Sequence, residues 1–235
     1  FHVSNVQCYA GYVYHLGTLT SNDDVITSAD DFTLRVGDDV TAYVDVTRRI
    51  ATASNHTFTH VLNHALRTVL TNADVISDVS TVEVQQKGSY VDAQKLRFDY
   101  SCSSSADVSS SGVLAEIESH CNDVIMRNLT VHTYIANAAD AKLALSPTLR
   151  CVFGEVYPSE VRVVSVGATY EQLRDSNGND VTNDEISPMQ HSVEFCGGTH
   201  LQHCADAKAF VLTSEEGVAK GIRRITAQTG DAALQ

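Results

Sequence analysis

Two short motifs carry residue types suited to holding a metal ion: His56-Thr-Phe-Thr-His60 and Cys196-Gly-Gly-Thr-His200. Each sets two potential ligands four residues apart, and together they supply three imidazoles and one thiolate. That is a full tetrahedral set for Zn2+. No other combination in the chain offers a complete chemical site. A zinc metalloprotease also carries paired histidines on a helix, but it needs Glu directly after the first as general base. Thr57 stands there instead. A second reading makes Cys196 a nucleophile with His200 as its base, which leaves His56 and His60 without a role. His64, His203 and Cys204 lie close by and read as polar residues outside the set.

The elements that must position these ligands follow from periodicity. Thr52 to Leu70 reads as a helix, with Ser54 or Asn55 placed to cap its start. Val61, Leu62, Ala65, Leu66, Val69 and Leu70 form its apolar stripe. Residues four apart on a helix stand one above the other, so His56 and His60 project from one face. Ser192 to Phe195 reads as a strand, after which Gly197 and Gly198 let the chain turn so that Cys196 and His200 face a common centre.

Elsewhere the pattern mixes strands and helices without strict alternation, which favours α+β over a doubly wound sheet. Residues 6–19 and 32–46 read as strands around an acidic turn region, Ser21 to Asp31. So few strands cannot bury two faces, and this segment, 1–50, is expected to be a truncated small β-barrel preceding a domain at 51–235. Further strands are expected at 82–91, 96–100, 131–135, 161–166, 192–196, 207–213 and 221–228, and helices at 112–127 and 138–145. Ser101 to Ser111, with seven serines in eleven residues, reads as a connector, and Tyr170 to Met189 as a long surface loop.

Composition sets the outer bounds. The 235 residues, 43% hydrophobic and 19% charged, describe a globular chain with a sizeable core. No run of apolar residues is long enough to span a bilayer, and the N-terminus lacks a signal-peptide layout. The chain opens on Phe1 rather than Met, as expected of a piece of something longer. Six cysteines without close pairing favour free thiols in a reducing compartment. A net charge of −13 runs against broad nucleic-acid binding, which is driven by counterion release from a basic surface. An RNA role would need a local patch, and Lys220, Arg223 and Arg224, the Arg48-Arg49 pair and Lys87 are the candidates.

The segment Asn55-His-Thr-Phe-Thr-His60-Val-Leu-Asn-His-Ala-Leu-Arg67 resembles the ligand helix of the alanyl-tRNA synthetase editing domains. Further segments agree in order: Gln86-Lys-Gly-Ser, Leu96-Arg-Phe-Asp99, Val152-Phe-Gly-Glu, Arg162-Val-Val-Ser165, Val193-Glu-Phe-Cys-Gly-Gly-Thr-His200 and Gly221-Ile-Arg-Arg224. The likeness runs from about residue 6 to residue 230; threonyl-tRNA synthetase has a related domain, but the Cys-Gly-Gly-Thr-His form and Gly-Ile-Arg-Arg favour the alanyl family.

The resemblance implies hydrolysis of Ser-tRNA(Ala) and Gly-tRNA(Ala). A pocket built for alanine rejects neither amino acid well, because one methyl is worth only ~1–3 kcal/mol and an added hydroxyl is poorly excluded. It also implies Zn2+ on His56, His60, Cys196 and His200, with Gln86 near the substrate. Thr57 or Thr59 would accept or donate to the serine hydroxyl, and Lys220, Arg223 and Arg224 would meet the tRNA. The remaining synthetase domains are implied partners, no membrane is, and the implied location is the cytoplasm, with a mitochondrial pool open. Three features depart from the family: the opening strand-loop with its Gly-Gly-Gln is missing, and extra residues stand at about Thr71 to Thr81 and within Tyr170 to Met189. The family's ATP-dependent aminoacylation core has no counterpart here. Two other readings remain: a non-catalytic, zinc-stapled RNA-binding module and a free-standing deacylase.

Overall fold

The computed structural model describes residues 1–21, 24–25, 34–71, 83–102, 108–146, 149–151, 156–176 and 191–235. Most of the acidic turn region, most of the stretch after Thr71, the centre of the serine-rich connector, the Val152-Phe-Gly-Glu segment and residues 177–190 lie outside them. Two compact units result, Phe1–Val44 and Asp45–Gln235.

The first unit is a hairpin, β1 (His2–Tyr9) and β2 (Tyr12–Thr18), exposed along both strands. Ala10 and Gly11 turn it with φ of 49° and 82°, the pairing a tight two-residue hairpin turn requires. Two two-residue strands follow, β3 (Thr20–Ser21) and β4 (Asp24–Val25). No barrel closes among the described residues. The strand expected at 32–46 is not formed over residues 34–45. Asp38 there accepts from the Arg35 N–H at 2.7 Å, a local turn bond that competes with strand pairing.

The second unit is organised by helix α1 (Val46–Leu70). It starts six residues earlier than its apolar stripe suggests, because the Asp45 carboxylate caps it by accepting from Arg48 N at 3.0 Å. Ser54 and Asn55 lie inside the helix and are buried. Against α1 pack helix α2 (Ser111–Met126), capped by Ser110, and an antiparallel sheet. That sheet runs β10 (Phe210–Ala219), β11 (Ile222–Thr229), β6 (Leu96–Cys102), β5 (Val84–Val91). Phe58, Leu62, Leu66, Phe98, Tyr100, Ile117, Phe210 and Ile225 are fully or almost fully buried in the resulting core.

A second antiparallel sheet orders β7 (Val131–Asn137), β8 (Glu160–Val166) and β9 (Ser192–Phe195). Its two faces serve different cores, as a period of two dictates. Val164 and Val166 join the α1 core, while Val161, Val163, Val193 and Phe195 face a smaller cluster with helix α3 (Ala138–Ala144) and Leu173. Leu173 belongs to helix α4 (Tyr170–Ser176), which corrects the expectation of an irregular loop from Tyr170 onward. The reason is a capping box: Thr169 Oγ1 accepts from Gln172 N, and Gln172 Oε1 accepts from Thr169 N. The architecture is α+β with antiparallel sheets, as its element pattern implies.

Candidate metal centre

The centre forms where a polar stripe on α1 meets one face of β9. His56, His60, Asn63 and Arg67 follow one another at spacings of four, three and four, which keeps them on a single helix face. In β9 the odd residues Val193 and Phe195 are committed to the smaller core, so Ser192 and Glu194 turn toward α1. Ser192 Oγ donates to the His60 carbonyl at 3.2 Å, and Glu194 meets Asn63 and His60. Cys196 continues the same alternation and arrives beside His56.

The four residues named by the sequence converge. One ligand atom each from His56, His60, Cys196 and His200 lies within 4.8 Å of the others. Nε2 of His56 and Nε2 of His200 each stand 3.4 Å from Cys196 Sγ. Ligands about 2.0–2.3 Å from a tetrahedral zinc are separated by roughly 3.4–3.7 Å, so these edges already match a metal polyhedron. The fit has a second mark: His60 is buried, yet its Nδ1 has no hydrogen-bond partner. Burial lowers the pKa of all three imidazoles, to about 3 at His60 and about 2 at His200, with the neighbouring rings and Arg162 adding to it at these two. They are therefore neutral at physiological pH, the state a metal requires of histidine.

The groups around the ligands fix their aim. Thr57 Oγ1 accepts from the Leu201 N–H at 3.0 Å and sits 3.2 Å from His200 Nδ1, leaving Nε2 of that ring to the centre. His56 Nδ1 lies 3.2 Å from the Thr199 carbonyl. His60 Nε2 stands 3.5 Å from Glu194 Oε2, whose other oxygen accepts from Asn63 Nδ2 at 2.8 Å; Asn63 Oδ1 in turn accepts from Arg67 Nε at 3.1 Å. Burial pushes the Glu194 carboxyl up to about 7 against the pull of Asn63 and Arg67. Such outer partners hold ring orientation and set metal affinity. Their sequence signal is the helical spacing of the polar residues His56, His60, Asn63 and Arg67 along one face of α1. Arg49 donates to Thr199 Oγ1 at 3.1 Å, and Arg162 donates to the Gly198 carbonyl, so two arginines fasten the loop.

Gly198 serves a purpose beyond the turn expected of it. Neither Gly197 nor Gly198 adopts a positive φ. A Cβ on Gly198 would instead lie 2.0 Å from His56 Cε1, so this position is empty of side chain to admit the ligand ring. Gly197 has open space around it.

Other sequence candidates fall elsewhere. Gln86 is half-buried on β5 opposite Tyr100, beside a bulge, and is not joined to the four ligands. Thr59 Oγ1 donates to the Asn55 carbonyl at 2.9 Å and is committed within the helix. Arg223 is paired with Glu215 and Arg224 with Asp99, the latter through two bonds of 2.7 Å, while Lys220 lies in the turn between β10 and β11. His64 packs against His120 with ring centroids 5.4 Å apart, outside the set, and Cys204 is buried. None of the six cysteines forms a disulfide.

Comparison with known proteins points the same way. The model of the threonyl and alanyl tRNA synthetase second additional domain matches residues 161–226. The cytoplasmic alanine–tRNA ligase of Dictyostelium discoideum is 41% identical over 233 residues, 99% of this chain and 22% of that protein. The mitochondrial alanine–tRNA ligase of Saccharomyces cerevisiae is 40% identical over 235 residues, 100% of this chain and 21% of that protein. The cytoplasmic enzyme of Drosophila melanogaster is 37% identical over 238 residues, again 100% and 21%. The chain spans about a fifth of the length of the curated relatives it matches. With the ligand set in place and likeness along its whole length, the chain belongs to the alanyl-tRNA synthetase family, as a segment of its editing domain.

Proposed function

We propose that this segment is a zinc-dependent aminoacyl-tRNA deacylase that hydrolyses Ser-tRNA(Ala) and Gly-tRNA(Ala). The observation that carries this reading is the convergence of His56, His60, Cys196 and His200 into one partly buried donor set. Zn2+ is the ion that three imidazoles and a thiolate suit best. When bound, it would supply positive charge beside the ester, orienting the aminoacyl group or polarising its carbonyl. The chain's own residues do the rest. Thr57 and the Thr199 carbonyl aim the rings of His200 and His56, and Glu194 backs His60. Gln86 and the Thr57 hydroxyl are the side chains offered to the substrate, and Lys220, Arg223 and Arg224 the ones offered to tRNA. Water adds to the ester carbonyl, and the bond to the ribose oxygen breaks, releasing serine or glycine and a free tRNA end. The other synthetase domains would deliver the tRNA.

A second reading has its own observation: four protein donors fill a tetrahedron, as structural zinc sites do. In that case the metal only staples the loop to α1 in an RNA-binding module. The relatives' names include both cytoplasmic and mitochondrial forms, and no helix among the described residues is long and apolar enough to cross a membrane. Release of serine from Ser-tRNA(Ala) by the metal-loaded chain, and its loss on chelation, tests the first reading. Zinc-stabilised folding without any release would establish the second.

A further inference from the structure

The chain carries a formal charge of −13, yet its basic residues are not evenly neutralised. Arg127, Lys208, Arg223 and Arg224 each meet a carboxylate. Arg49 and Arg162 are among those that do not: within the described residues neither forms an ion pair. Both instead grip the loop that supplies Cys196 and His200, Arg49 through Thr199 Oγ1 and Arg162 through the Gly198 carbonyl. Arg162 is half-buried beneath the loop, and its charge is felt at His56, His60 and His200. Arg49 is exposed. It stands seven residues before His56, which puts it on the same helix face about 10 Å up the axis.

Two arginines without a carboxylate partner, both bonded to the same ligand loop, raise the positive potential at the rim of the site. A guanidinium offers five donors in a fork, and among the described residues Arg49 spends one of them on a neutral hydroxyl. The remaining donors match the oxygens of a phosphodiester. A substrate that presents an ester at its 3′ end carries its nearest phosphate one ribose away from that ester. Building on the deacylase reading, we propose that Arg49 binds the RNA backbone phosphate next to the terminal nucleotide while the ester lies at the metal centre. Arg49 is thus a substrate-positioning residue, and the basic rim of the centre adds an electrostatic contact with the RNA to that offered by Lys220 and the β11 arginines.

The test compares Arg49→Ala, Arg49→Lys and Thr199→Val with the parent chain, each checked for zinc content. Two substrates are used: Ser-tRNA(Ala), and a 3′-seryl ester of adenosine, which has no phosphate. Arg49→Ala is expected to raise KM for Ser-tRNA(Ala) about tenfold more than it alters use of the nucleoside ester. It should also flatten the log–log salt slope by about 0.7, the share of one single-strand phosphate. Arg49→Lys should recover part of the loss. If Arg49 only fastens the loop, Thr199→Val reproduces the Arg49→Ala defect, or both substrates suffer equally; either result overturns the proposal. Should the parent chain release no serine from either substrate, the deacylase reading fails and anisotropy with a short single-stranded RNA decides. Weaker, less salt-dependent binding by Arg49→Ala sustains the phosphate contact, whereas equal or absent binding overturns it.

Discussion

Gly198→Ala tests the metal centre at its tightest point. The added methyl would lie 2.0 Å from Cε1 and 2.6 Å from Nδ1 of His56. Ordinary carbon contact begins near ~3.5 Å, so ring and loop must separate by about 1.5 Å. His56 has little room to yield, since it is stacked on His200 at 4.3 Å between centroids and bonded to the Thr199 carbonyl. If the loop moves instead, it takes Cys196 and His200 with it. Either movement far exceeds the ~0.2 Å tolerance of a metal–ligand bond. Losing one ligand of four from a site worth about 10–16 kcal/mol costs roughly 3 kcal/mol, or a hundredfold in affinity. Gly198 is not one of the residues that build the hydrophobic core around α1, so the variant should fold. Gly197→Ala is the matched control, with nothing within 4 Å of its Cβ, and neither glycine has the positive φ that would add backbone strain. Competition with a chromophoric chelator reads zinc affinity, and far-ultraviolet circular dichroism reads folding. A folded Gly198→Ala chain that binds zinc as tightly as Gly197→Ala would refute the reasoning.

Three further outcomes are expected. Cys196→Ala should lose both stoichiometric zinc and release of serine from Ser-tRNA(Ala), while Cys204→Ala should keep its zinc; an active, zinc-replete Cys196→Ala chain would remove Cys196 from the ligand set. Glu194→Gln should weaken zinc binding about ten- to a hundredfold, because His60 loses its carboxylate partner, and unchanged affinity would make that contact incidental. Burial, with His120, His191 and two arginines adding, holds His64 at about 3 against an ordinary 6.5, so the unfolded chain takes up this proton first as pH falls. Stability from this group is whole above pH ~6.5 and drains toward pH ~3, reaching about 2 kcal/mol lost at pH 5. Urea unfolding at pH 7 and pH 5 should show His64→Leu losing less on acidification than the parent, and equal losses would contradict the assignment.

The ligand set was legible because metal chemistry restricts residue type and spacing together. His56 and His60 are readable from helix geometry alone, and Cys196 and His200 from the strand that precedes them. The glycines were read for conformational freedom, whereas Gly198 is there for clearance, a cross-chain contact that local sequence does not display. The helix start was misplaced because its apolar stripe begins late, while the signal that governs it is the single carboxylate of Asp45. The short helix α4 was hidden in a polar stretch whose capping box, Thr169 with Gln172, outweighs its composition. Pairing of Arg223 with Glu215 and of Arg224 with Asp99 depends on strand register, which fixes who stands opposite whom only once β6, β10 and β11 are assembled.

The ligands come from two stretches 140 positions apart, joined by the docking of β9 and the loop after it onto α1. Each stretch by itself is a two-toothed chelate. On a growing chain, the first pair emerges long before the second, and zinc can rest on His56 and His60 without any site existing. The complete centre therefore reports that both ends of the unit have met. A bound metal would hold shut a loop whose closure entropy scales with that separation, so its removal should be felt first as parting of β9 from α1. The surrounding hydrophobic core would outlast it. Zinc that clings to either half-chelate in the unfolded chain subtracts from the stabilisation it gives the folded one. Excess zinc should thus raise the melting temperature by less than the affinity of the finished site implies.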